Sequence, residues 1–75
     1  MEGIELSTRD GHSGIGIGHM PGRKSATLYL KRGGMIEVMA YFRDDECAER
    51  VVNWLDWFSE QVGISREKEH GRTEG

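Results

Sequence analysis

Between Asp44 and Val62 the apolar residues recur at helical spacing: Cys47, Val51, Trp54, Leu55, Phe58 and Val62. At 100° per residue these and Ala48 fall within about 60° of Val51, while Asp45, Glu49, Asn53, Asp56 and Glu60 fall opposite. Asp44 suits the N-cap, and Asp45 and Glu46 suit the positive end of the helix dipole. Gly63 is a left-handed terminator that lets Ile64 fold back on Phe58. The pattern predicts one amphipathic helix over 44–62.

Upstream, four short stretches alternate with period two. Their apolar sides are Ile4 and Leu6; Ile15 and Ile17; Ala26, Leu28 and Leu30; and Ile36, Val38, Ala40 and Phe42. Directly paired residues must share a face, so register tests the reading. A turn at Asp10-Gly11 pairs Leu6 with Ile15 and Ile4 with Ile17. A loop centred on Pro21-Gly22 pairs Ile17 with Ala26 and Ile15 with Leu28. A Gly33-Gly34 turn would set Leu30 against Glu37 and mix faces. The expectation is therefore a three-residue loop, Arg32-Gly33-Gly34, with a bulge and with Leu30 opposite Ile36.

The predicted fold is α+β: a four-stranded antiparallel meander (ββββα) with one C-terminal amphipathic helix packed on one face. Residues 1–64 form a single small domain. Residues 65–75, SREKEHGRTEG, carry no large apolar side chain and read as a disordered polar tail. The expected core is Ile4, Leu6, Ile15, Ile17, Leu28, Leu30, Ile36, Val38, Phe42, Val51, Trp54, Leu55, Phe58 and Val62.

That arrangement leaves surfaces over. The reverse sheet face would carry Gly14, Gly16, Gly18, Thr27, Tyr29, Lys31, Met35, Glu37, Met39 and Tyr41. Tyr29, Met39 and Tyr41 would lie close together, either packing over glycine backbone or meeting a partner. The strand Met35–Phe42 would be an edge with Glu37 as its one charge, open to homodimer formation. Trp57 lies about 120° from the centre of the helix's apolar arc and either closes the side of the core or anchors an interface.

Composition narrows the function. The chain has 75 residues, 10 Lys+Arg and 13 Asp+Glu, for a net charge of -3, which excludes a nucleic-acid binder held by bulk charge. The acidic residues concentrate on the helix, where Glu49, Asp56 and Glu60 could steer a basic partner or merely be solvated. No apolar run reaches the roughly 18 residues of a membrane span. One cysteine and no leader pattern suggest a cytoplasmic setting. Gly14 to Gly18 lacks phosphate-loop spacing. His12, His19 and His70 are scattered, so no metal or cofactor is expected. Cys47 reads as a buried, inert side chain, and no triad with a pocket is evident.

The leading expectation is a small non-enzymatic protein-binding module. It would be of the accessory or inhibitor kind found in phages and mobile elements, occluding a host macromolecule through Trp57, Tyr29, Met39 and Tyr41 with Glu49, Asp56 and Glu60 as steering charges. A second expectation is single-stranded nucleic-acid binding on the open sheet face. There Tyr29 and Tyr41 would stack on bases, and Lys31, Arg43 and Arg9 would hold phosphates. Four strands followed by a helix resembles, in topology alone, the Whirly type of single-stranded DNA-binding protein. A third is a structural subunit of a larger assembly.

Overall fold

A computed structural model describes residues 2–69. The strands are β1 (Gly3–Ser7), β2 (Gly14–Gly18), β3 (Thr27–Arg32) and β4 (Met35–Tyr41). The helix α1 (Asp45–Val62) follows, and then a fifth strand, β5 (Ser65–Glu69). All pairings are antiparallel in the order β4-β3-β2-β1-β5. The α+β class and the meander of the first four strands match the expectation. The tail does not: Ser65–Glu69 pair with β1 from Gly3↔Glu69 to Ser7↔Ser65. The reason is positional. The helix returns the chain beside β1, whose free edge needs backbone partners, so five residues without large apolar side chains are held by the ladder and by charge. Residues 70–75 lie outside the described residues.

The helix ends behave as their residues dictate. Asp44 is extended and its carboxylate accepts from the Cys47 N–H at 2.8 Å. Gly63 takes φ 75°, and the N–H groups of Gly63 and Ile64 both donate to the Ser59 carbonyl.

The rotation of α1 differs from the expected one. Ala48, Val52, Leu55 and Ser59 are buried, whereas Trp54 and Val62 are exposed. The buried set is centred about 70° from Val51 on the helical wheel. Small side chains at 48, 52 and 59 allow α1 to lie close on β1 and β5, and the bulky indoles go to its flank. The core comprises Ile4, Leu6, Ile17 and Ala26 from the sheet side, with Ala48, Val52 and Leu55 from the helix. Ile15, Leu28, Phe42, Val51 and Phe58 are partly buried against it.

Register explains the other departures. Leu6↔Ile15 and Ile4↔Ile17 pair as expected, with the turn closed by Gly11 N–H to Thr8 O at 2.9 Å. β2 and β3 are two residues out of the expected register, Ile17↔Leu28 and Ile15↔Leu30, which preserves the faces. The third hairpin takes the two-residue turn, Arg32↔Met35, with Gly33 at φ 57° and Gly34 at φ 82°. Adjacent left-handed glycines match the twist of the strands, and this local preference wins over face matching. Leu30 therefore opposes Glu37 and Lys31 opposes Ile36. A bulge at Met39 then restores the frame, so that Ala40 opposes Leu28. Ile36 and Val38 consequently join the outer face at 50 % and 43 % exposure instead of the core.

On that outer face Tyr29 lies across Gly16, where an added Cβ would come within 2.3 Å of the ring. The Tyr29 hydroxyl donates to Glu5 Oε1 at 2.7 Å, and Lys31 Nζ meets Glu5 Oε2 at 3.1 Å. Gly16→Val should displace the ring and destabilise the fold by about 1–3 kcal/mol in urea unfolding. Tyr29→Phe, which removes only the hydroxyl, should cost about 1 kcal/mol. A Gly16→Val protein as stable as its parent would show that the ring is not held there.

Candidate protein-interaction surface

Two apolar regions remain uncovered. The first is β4, all of whose residues are exposed. Met35 is 75 % exposed, and Ile36, Val38, Met39 and Tyr41 lie between 43 % and 52 %. This edge contrasts with the opposite one, where β5 (SREKE) is charged and so guarded against further strands. Two features interrupt β4 as well: Glu37, held by Arg32 at 3.3 Å, and the bulge at Met39.

The second region is a groove of about 450 Å³ between α1 and the sheet. Ile15 and Leu30 form its floor and Trp54 and Phe58 its helical wall, with Leu6 and Ile64 also lining it. Trp54 stacks on Phe58 at 5.1 Å between centroids and tilts against Trp57 at 6.5 Å. Both indoles are 54 % exposed. Trp54 was expected in the core, and the rotation of α1 makes it a neighbour of Trp57. A signal for this was present: Trp54 sits at the margin of the apolar arc on the side of Trp57, and the smaller Ala48, Val52 and Ser59 mark the closer approach.

The residues singled out from the sequence do not form one site. Trp57 stands on the helix flank. Tyr41 is on the reverse face with the Arg23 guanidinium 4.7 Å from its ring centroid, and Met39 occupies the bulge. Tyr29 is half-buried and engaged by Gly16 and Glu5, with Val38 as its cross-strand partner. Glu5 also holds Lys31, and Glu67 lies directly opposite Glu5. The nucleic-acid expectation assigned Tyr29 and Lys31 to bases and phosphates, yet both are bound to a carboxylate on an acidic part of the face.

The acidic stripe is divided. Glu49 is exposed. Asp56 is paired with Arg66 Nε and with Lys68 Nζ at 2.9 Å, and Glu60 with Arg66 Nη2 at 2.9 Å. Arg66 also donates to Ser59 Oγ at 3.1 Å. Asp56 and Glu60 are thus clamps that hold β5 to α1. Asp45 meets His19 at 3.2 Å. Cys47 is half-buried, with its Sγ 3.5 Å from Arg43. Among the described residues no helix is long and apolar enough to cross a membrane, and no three His, Cys, Asp or Glu side chains converge as metal ligands would.

The Lys68 hydrogen bond to Asp56, reinforced by the Arg66 and Lys68 charges, holds the Asp56 carboxyl below its ordinary range. Its contribution is therefore fully present above the unfolded carboxylate pKa and is lost as pH falls through the lower folded value. Asp56→Asn should loosen β5 at neutral pH, seen as faster amide exchange at 65–69, and should flatten the acid limb of the stability profile. An unchanged acid limb would mean that the clamp contributes nothing. The chain matches no known family model, no curated protein sequence and no solved structure.

Proposed function

We propose that the chain is a non-enzymatic protein-binding module that covers part of a macromolecular partner. The observation that carries this reading is the amount of large apolar side chain left outside the core. It lies along β4 at Met35, Ile36, Val38, Met39 and Tyr41, and along the α1 flank at Trp54 and Trp57. Exposed apolar area of this kind marks contact surfaces, and tryptophan is enriched among their energetic anchors. Trp57 is the anchor on the helix, Met39 and Tyr41 are contacts on the edge, and Glu49 is the available steering charge. A second copy pairing along Met35–Phe42 competes for the same edge, as would a neighbouring subunit in an assembly.

Affinity capture from extracts of the native host, with quantitative mass spectrometry, tests the reading. Trp57→Ala or Val38→Lys should lower recovery of specific partners about tenfold or more, which corresponds to roughly 1.4 kcal/mol or more. Glu49→Ala should slow association and weaken its salt dependence. Equal recovery by all variants, with circular dichroism confirming their folding, would sink the proposal.

A further inference from the structure

We infer that the groove beside Trp54 seats an amphipathic helix of another protein, one whose polar face is acidic. The inference rests on the protein-binding reading and names the chemistry of the one segment that enters the groove; Glu49, about 140° round α1 from Trp54, does not border it.

The first argument is coverage. Strands lie about 4.8 Å apart, so five of them present a face roughly 20 Å wide, while a helix is about 10 Å across. α1 lies on β1 and β5. The strip over β2 and β3 beside it has the width of one more helix, and Ile15 and Leu30 line its floor.

The second argument is backbone satisfaction. β2 and β3 are interior strands with partners on both sides. Nothing lying across their face can pair with their backbone, so an occupant must satisfy its own N–H and C=O groups. A helix does this and an added strand does not. Among the described residues, the polar side-chain groups lining the groove are the hydroxyls of Ser7 and Thr8 and the indole N–H of Trp54. Affinity must therefore come from an apolar stripe at i, i+3, i+4 spacing.

The third argument is charge. Arg50 stands one turn before Trp54 and two before Trp57, and Arg9 follows the groove-lining Thr8. Neither arginine has an ion-pair partner among the described residues. Of the acids bordering the same region, Asp10 is hydrogen-bonded by Thr8 and His12 and Glu37 is paired with Arg32; exposed Glu46 lies about 80° round α1 from Trp54, twice as far as Arg50. Free cations beside an apolar groove favour carboxylates on the incoming polar face. A second copy offers a mixed polar face and not an acidic one, because the exposed side of its α1 carries Arg50 as well as Glu46 around Trp54 and Trp57.

The test is NMR titration of the full isotope-labelled chain with three synthetic peptides. Two are amphipathic helices with the same leucine stripe and either an acidic or a basic polar face; the third is an extended peptide of alternating apolar and polar residues. The acidic helix should shift the Trp54 indole, Ile15 and Leu30, and should bind at least tenfold tighter than the basic one. Arg50→Glu should reverse that preference. Trp54→Ala, at a half-exposed position that leaves the core intact, should weaken binding about tenfold or more.

Helices that fail to bind, or bind equally whatever their charge, overturn the inference. So do groove shifts that appear with protein concentration alone, which would assign the groove to a second copy. Shifts confined to β4 with the extended peptide overturn it while leaving the protein-binding reading intact. That reading is judged separately by the capture experiment.

Discussion

The burial of β1 beneath α1 is the constraint on which the rest of the structure depends. Ile4 and Leu6 are nearly inaccessible, and β1 carries partners on both edges. A domain of this size has little apolar area to spare, so its helix must lie where burial is densest. That place is over β1, and β5 is drawn in as the outer flank. The Asp56, Glu60, Arg66 and Lys68 cluster then ties helix to strand. Such partly exposed pairs add modestly to stability one by one, but they fix the order of β5 beside β1.

Placing the helix to one side of the sheet has a cost on the other. β3 and β4 extend beyond the helical cover. There the Gly33-Gly34 turn puts Ile36 and Val38 on the outer face, and the bulge at Met39 brings Ala40 back into frame. An apolar strand is thus left half-exposed by a local turn preference, not by a lack of apolar residues. The same offset opens the groove beside Trp54. The turn and the offset together therefore generate the two surfaces on which the proposed function rests.

Much of this was legible in the residues themselves. Period-two and period-3.6 patterns give four strands and a helix because side-chain direction follows directly from backbone geometry. The caps at Asp44 and Gly63 and the Leu6↔Ile15 register are likewise local properties. What escaped was β5, since Ser65–Glu69 have no hydrophobic signal and gain order only from a neighbouring edge and from carboxylates on α1. Tyr29 was correctly placed on the reverse face, but its bond to Glu5 removes it from the free surface.

Alone, then, the sequence determined the helix, the first four strands and the turn that joins the first two. Only the tertiary structure decided how far α1 rotates, which edge stays open and that Trp54 faces a groove. Those outcomes turn on competition between distant segments for the same buried area. A Gly-Gly turn against face matching, or small residues against indoles for the place nearest β1, is resolved only when all of them are packed together.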